Sequence, residues 1–290
     1  MKASKGEKIF YVINTIFFLL IALIILVPLL TVLKKSLDAN PTGGHPLSLI
    51  PNEWSLVYYN MIFKNRGIYG PFLNSIYVTV IGTALALIIQ SMAAFTVSRR
   101  NLPGKKFITY FMIVTMVFSG GIMPMYLVMR ELHLLNSLWA VILPSCVSAW
   151  NIVLIRNYYW SIPESLGESA RIDGAGEFKV YFRITLPLSG PVIATVGLFT
   201  AISYWTSYYY ASIFINSPEK FTFPVKFREM ILQQEDMSNT LQQAGSMSSY
   251  LTSEGISAAI IIISIIPILL VYPYLQRFFM KGIMVGAVKG

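Results

Sequence analysis

Six stretches of this chain are long, apolar and nearly uncharged: approximately 10–33, 72–98, 107–130, 137–156, 187–215 and 256–280. No other feature restricts the possible folds so strongly. A helix needs about 20 mostly apolar residues to cross a bilayer, and each stretch reaches that length. Within lipid, every backbone N–H and C=O must be satisfied inside the protein, which leaves only helices and closed barrels. These runs are continuous and do not alternate apolar with polar, so the pattern predicts helices. The expectation is an all-α, polytopic membrane protein with six transmembrane helices. Its charged fraction of 12% is about half that of a soluble domain.

The first run follows Lys2, Lys5 and Lys8. It is too long for the h-region of a signal peptide and ends without a small-residue cleavage site, so a retained anchor helix is expected. The net charge of +9 does not point to nucleic acid, because the basic residues sit at the ends of apolar runs. With the N-terminus inside, fourteen Lys and Arg fall on the inner side and eight on the outer. The loop 99–106 alone holds Arg99, Arg100, Lys105 and Lys106. Positive residues collect in cytoplasmic loops, so both termini and the loop 157–186 are expected in the cytoplasm. Residues 1–290 then form a single transmembrane domain. Outside it lie 34–71, with a short interfacial helix expected near 53–63, and the polar 216–255. One cysteine, Cys146, excludes an internal disulfide.

The loop 157–186 is the most patterned polar segment. Ser161-Ile162-Pro163-Glu164 reads as a helix start, since proline suits the first turn and an acid complements the dipole. The helix should run to about Ile172 and break at Asp173-Gly174-Ala175-Gly176, where glycine permits a reversal. A second helix should follow with Phe178 and Phe182 on one face, and Pro187 and Pro191 should restart the chain into the fifth run. Small residues Ser169, Ala170, Gly174 and Ala175 allow close approach of another surface. Glu168 and Asp173 offer acceptors to basic groups on it.

The spacing Glu168-Ser169-Ala170, three residues, Gly174, nine residues, Ile184-x-Leu186-Pro187 matches the EAA loop of ABC-importer permeases, with Ser169 the one departure. Other stretches resemble the carbohydrate branch of that family, of which the maltose permease is one, and within it the oligosaccharide-uptake subgroup. They include Arg156-Asn157-Tyr158-Tyr159, Ala170-Arg171-Ile172-Asp173-Gly174-Ala175, Tyr204-Trp205, Phe214-Ile215-Asn216, Tyr272-Pro273 and the ending Gly286-Ala287-Val288-Lys289-Gly290. The resemblance covers essentially the whole chain. It implies a type I importer permease fold and a subunit in a bacterial cytoplasmic membrane. It also implies a second homologous permease subunit, two ATPase subunits and an extracytoplasmic sugar-binding protein as partners. The segment 164–175 would be the coupling helix, with Glu168 and Gly174 as motif positions. ATP and Mg would bind the ATPases. This chain has no G-x-x-x-x-G-K-[ST] loop, and neither a catalytic residue nor a cofactor of its own is expected.

Substrate contact is harder to place. Sugars suit aromatic faces and hydroxyl or amide groups. On an unbroken fifth helix, Trp205, Tyr208 and Tyr209 would share a face, with Tyr204 beside it. The other reading is an interfacial aromatic belt. Asn151 and Ser148 in the fourth run and Gln90 in the second either contact the pathway or hydrogen-bond neighbouring helices. Ser119-Gly120-Gly121 and Pro124 should kink the third run. Trp205-Thr206 stands where sugar permeases often have Trp-Asn, which weakens any direct transfer of sugar contacts. His45 and His133 lack metal-ligand company. No Asp or Glu lies within an apolar run, which weighs against an ion-coupled secondary carrier. A permease for peptide or another solute remains the alternative within transport.

Overall fold

The computed structural model describes the backbone of residues 5–41, 48–243 and 253–287. Lys2, His45 and Lys289 lie outside them. The described residues contain helices and no strand, apart from one isolated antiparallel bridge between Asp38 and Trp54. The helices, in chain order, are α1 (Lys5–Leu37), α2 (Val57–Lys64), α3 (Tyr69–Ser98), α4 (Lys105–Val117), α5 (Ile122–Glu131), α6 (Trp139–Ile142), α7 (Ala149–Tyr159), α8 (Glu164–Ile172), α9 (Glu177–Val180), α10 (Leu186–Leu188), α11 (Gly190–Trp205), α12 (Tyr209–Phe214), α13 (Phe223–Gln243) and α14 (Ser253–Ala287).

Three apolar runs form single helices long enough to cross a bilayer, at Gly6–Leu37, Arg66–Ser98 and Glu254–Pro273. Each of the other three forms a bent pair. Helices α4 and α5 meet at 111°, far more than a kink. Gly121 sits between them at φ +81°, a backbone conformation costly for residues with a Cβ. The fourth run bends by 49° between the turn that extends α6 to Ser145 and the start of α7. Ser148 caps the restart by accepting the Asn151 N–H at 3.4 Å.

The fifth run departs most from expectation. It bends by 80° at Ser189, where Pro187 and Pro191 deny the ladder two N–H donors. It then stops at Trp205, with Thr206 as its cap, and resumes only at Tyr209. The shared helical face expected for Trp205, Tyr208 and Tyr209 is therefore not formed.

The chain packs as two compact units, residues 1–66 with 227–267 and residues 67–226 with 268–290. In the first unit, α1 leaves its apolar side chains uncovered from Ile9 to Val27, as suits a helix whose solvent is hydrocarbon. Its end is fixed by a buried carboxylate. Asp38 accepts N–H groups from Asn40 (3.1 Å), Asn52 (2.8 Å) and Glu53 (3.3 Å). A short helix does form where one was expected near 53–63, though it starts only at Val57; α2 buries Tyr58 and Ile62, and the Tyr59 hydroxyl donates to Ser36 at 2.8 Å.

In the second unit α3 is the central element and packs on α7 and α11. One core cluster joins Val78, Ala86, Ile142 and Tyr204. A second joins Ala94, Val97, Ile155, Tyr159, Val192 and Val196. Gln90 is fully buried, and its Nε2 donates to the Cys146 carbonyl at 2.9 Å. It serves helix packing, one of the two roles its sequence left open.

Candidate functional site

The loop 157–186 folds as its residue types direct. Helix α8 starts after Pro163 with Glu164 in its first turn and ends at Ile172. The Gly174 N–H bonds the Arg171 carbonyl at 3.0 Å, and the Ala175 N–H bonds the Ala170 carbonyl at 2.9 Å. This nested pair, with Gly174 at φ +79°, is a Schellman cap. The cap explains a spacing that composition alone could not. The glycine stands at 174 because the cap needs a left-handed residue there, four residues after the carbonyl that the Ala175 N–H satisfies.

Behind α8 stands an ion-pair frame that the sequence did not disclose. The Glu177 carboxylate accepts Arg171 Nε at 2.7 Å and an N–H of Arg99. Glu164 pairs with Arg100 Nε at 3.1 Å. Both ends of α8 are thus tied to the residues that follow α3. Exposed pairs contribute little individually, but together they fix the direction of a short helix. Its outer stripe is uncovered: Ile172 is 86% exposed and Leu166 45%, and Glu168, Ser169 and Asp173 are also exposed. Ala170 and Ala175 are half-buried. An apolar residue so exposed at the tip of a capped, braced helix suits contact with another protein. The second expected helix is only one turn of α9 followed by a π-helical turn, Tyr181–Thr185. Phe178 and Phe182 are both exposed.

Farther along the unit, a cavity of about 840 Å³ opens where the fourth run breaks. Its wall includes Asn151, Ser148, Trp150, Thr115, Thr200 and Ser203, and none of its lining residues is charged. Asn151 Nδ2 reaches Thr200 Oγ1 at 3.4 Å. Trp150 is 66% exposed. Hydroxyls, an amide and an aromatic face are the groups that bind polyols without charge. Asn151 and Ser148 both line this cavity, and Asn151 also bonds the neighbouring helix α11, so the two roles left open for it coincide. Trp150, Thr115, Thr200 and Ser203 were missed. The polar interruption Ser148-Ala149-Trp150-Asn151 could have signalled Trp150, whereas isolated hydroxyls in apolar helices often only bond their own backbone.

Trp205 is elsewhere. It is 6% exposed, stacked on Phe223 at 6.4 Å and edge-on to Phe72 at 5.6 Å. Tyr204 is buried and donates its hydroxyl to the Ile142 carbonyl at 2.8 Å. Tyr208 and Tyr209 are exposed beyond the helix end. The structure brings Asn151 and Tyr204 to the cavity and does not bring Trp205, Tyr208 or Tyr209 to it. His133 is exposed with Nδ1 near its own turn, and no cluster of potential metal ligands occurs among the described residues.

Residues 6–285 match the family described as binding-protein-dependent transport system inner membrane component. The chain belongs to this family. It is 39% identical to the polygalacturonan/rhamnogalacturonan transport system permease protein YtcP of Bacillus subtilis, over 94% of this chain and 96% of that one. It is 28% identical to the arabinooligosaccharides transport system permease protein AraQ of Halalkalibacterium halodurans, over 99% of both chains. A chain of the solved bacterial ABC transporter involved in import of the acidic polysaccharide alginate superposes with a TM-score of 0.83. The match has 29% identity and covers 96% of this chain and 99% of that one. The fold is that of an importer permease, and this family member is a transport component of the inner membrane rather than a catalyst.

Proposed function

We propose that this chain is one permease subunit of an ATP-binding-cassette importer that carries an oligosaccharide by alternating access. The capped outer stripe of α8 supports this reading, since Glu168 and Ile172 are exposed on it and open to contact by an ATPase subunit. The named relatives are saccharide transport permeases, which favours a sugar over a peptide as cargo. In this reading residues 1–290 act as one permease domain with both termini and α8 in the cytoplasm. A second homologous permease lies alongside, two ATPase subunits bind ATP and Mg below, and a sugar-binding protein delivers cargo from outside. Closure of the ATPases pushes α8. The ion-pair frame passes the push to α3, which packs on α7 and α11, the helices that carry Asn151 and Thr200.

Site-specific cross-linking tests this. Cys146 is buried, so a cysteine introduced at Glu168 would be the reactive one. The expected product is a covalent adduct between Glu168→Cys and the ATPase subunit, with none from a cysteine at Glu219. Equal adducts from both positions, or none from Glu168→Cys, would refute the arrangement.

A further inference from the structure

A second cavity, about 590 Å³, lies beside the root of α8. Its lining includes three cations, Arg99, Arg100 and Lys105, against one carboxylate, Glu164. The cations differ in how far they are occupied. Arg99 is spent: it bonds Glu177 and lies over the Phe95 ring at 4.2 Å. Lys105 Nζ donates to the Arg99 carbonyl at 3.0 Å, but an ammonium has three donors. Arg100 meets Glu164 through Nε, and its side chain is 80% exposed, so a guanidinium with five donors presents its terminal amino groups to solvent. Glu164 and Gly167, in the first turn of α8, complete this side. Pro163 gives α8 no side-chain cap, and the positive end of a helix favours an anion.

The rim has the character of a membrane surface. Trp160 is about half exposed, is held by an Nε1 bond to the Ser98 carbonyl at 2.8 Å, and lies under Arg156 at 4.4 Å. Tryptophan in such company marks the lipid–water boundary. From Lys105 onward, α4 presents Phe107 and Phe111, both exposed and mutually stacked at 6.4 Å. A polar, net-positive recess is thus followed along α4 by an exposed aromatic strip.

We propose that this cavity binds a phosphate-bearing anion, with Arg100 and Lys105 as its principal donors. A tetrahedral phosphate accepts from donors arriving out of one plane, as a guanidinium and an ammonium on two different segments provide. The phosphate source is an anionic phospholipid, whose acyl chains would follow Phe107 and Phe111, or a soluble phosphate. Either would stand against Glu164 and so bias the position of α8. This inference holds whether or not the chain carries a sugar.

The test uses the full-length chain, in the complex in which it leaves the membrane, in nanodiscs of phosphatidylcholine with or without phosphatidylglycerol. Native mass spectrometry should show retained phosphatidylglycerol. Arg100→Gln and Lys105→Gln should each weaken retention about fivefold, the weight of one cation near a lipid surface. Lys106→Gln, a neighbouring cation outside the cavity, should leave retention unchanged. Glu164→Gln removes the opposing carboxylate and should tighten it, which a purely structural role for the Arg100–Glu164 pair would not do. A parallel titration with inorganic phosphate in phosphatidylcholine discs, read by melting temperature, identifies a soluble source if saturable stabilisation is lost in Arg100→Gln. The proposal fails if neither phospholipid nor phosphate responds to Arg100→Gln and Lys105→Gln, if Lys106→Gln matches them, or if Glu164→Gln weakens binding.

Discussion

Tyr204 of α11 lies directly over Gly82 of α3: a Cβ at Gly82 would stand 2.7 Å from Tyr204 Cζ. The two helices approach so closely because this glycine has no side chain, and Tyr204 forms part of the wall of the uncharged cavity. Gly82→Ala should therefore cost about 1–3 kcal/mol through overpacking, despite the better helix propensity of alanine. The displaced ring should also loosen its hydroxyl bond to Ile142. A lower melting temperature in detergent, with transport lost beyond the loss of folded protein, is the expected result. An unchanged or raised melting temperature would contradict the contact.

Gly174 presents the opposite case. Nothing lies within 4 Å of a Cβ built there, so space is not the constraint. Its φ of +79° is, and Gly174→Ala should cost about 1–2 kcal/mol of local strain. Asparagine, which tolerates this region better, should be milder. Hydrogen exchange should report earlier opening at Gly174 and Ala175, the two amides of the cap, while α3 stays protected.

Trp205 and Asn151 should separate stability from transport. Trp205→Ala removes a buried ring from between Phe72 and Phe223 and should cost about 3–5 kcal/mol. Uptake should fall in proportion to folded protein. Asn151→Ala leaves a polar cavity wall and should melt nearly normally, while uptake falls about tenfold for a lost cargo hydrogen bond. The reverse pattern would return the path to the aromatic residues of the fifth run.

The six apolar runs, a long first helix, a short helix near 53–63 and the limits of α8 were all legible, because length, periodicity and capping residues are local properties. The bends were legible only as places. Gly121 and Ser189 mark them, but 111° and 80° depend on neighbours in space. Trp205 misled for the same reason: spacing of three and four assumes that a helix continues, and α11 stops at Thr206. The Arg171–Glu177–Arg99 frame joins Glu177 to Arg171 across a turn and to Arg99 from far back in the chain, so no helical spacing rule exposes it.

Asp38 sets a pH dependence. Burial tends to raise its pKa, but N–H bonds from Asn52, Asn40 and Glu53 and the nearby charge of Lys34 outweigh this, holding it below the ordinary value of 3.8. A lowered carboxylate pKa contributes stability above the unfolded value, and that stability is lost as pH falls through the folded one. Proteolysis near Asn52 and Glu53 should thus be slow and flat from about pH 5 to 8 and quicken below the ordinary carboxylate range. Asp38→Asn should abolish the dependence and quicken cleavage at neutral pH.

In the proposed function, the outer stripe of α8 transmits ATPase motion to the cavity. Glu168 is exposed and appears in no ion pair with the rest of the frame among the described residues, so Glu168→Lys should fold and assemble normally. The decisive measurement is sugar taken up per ATP hydrolysed in proteoliposomes holding the whole importer. The expected result is a drop of about tenfold or more in that ratio, the scale of one opposed charge-assisted contact, at unchanged protein content. A wild-type ratio in Glu168→Lys would contradict it.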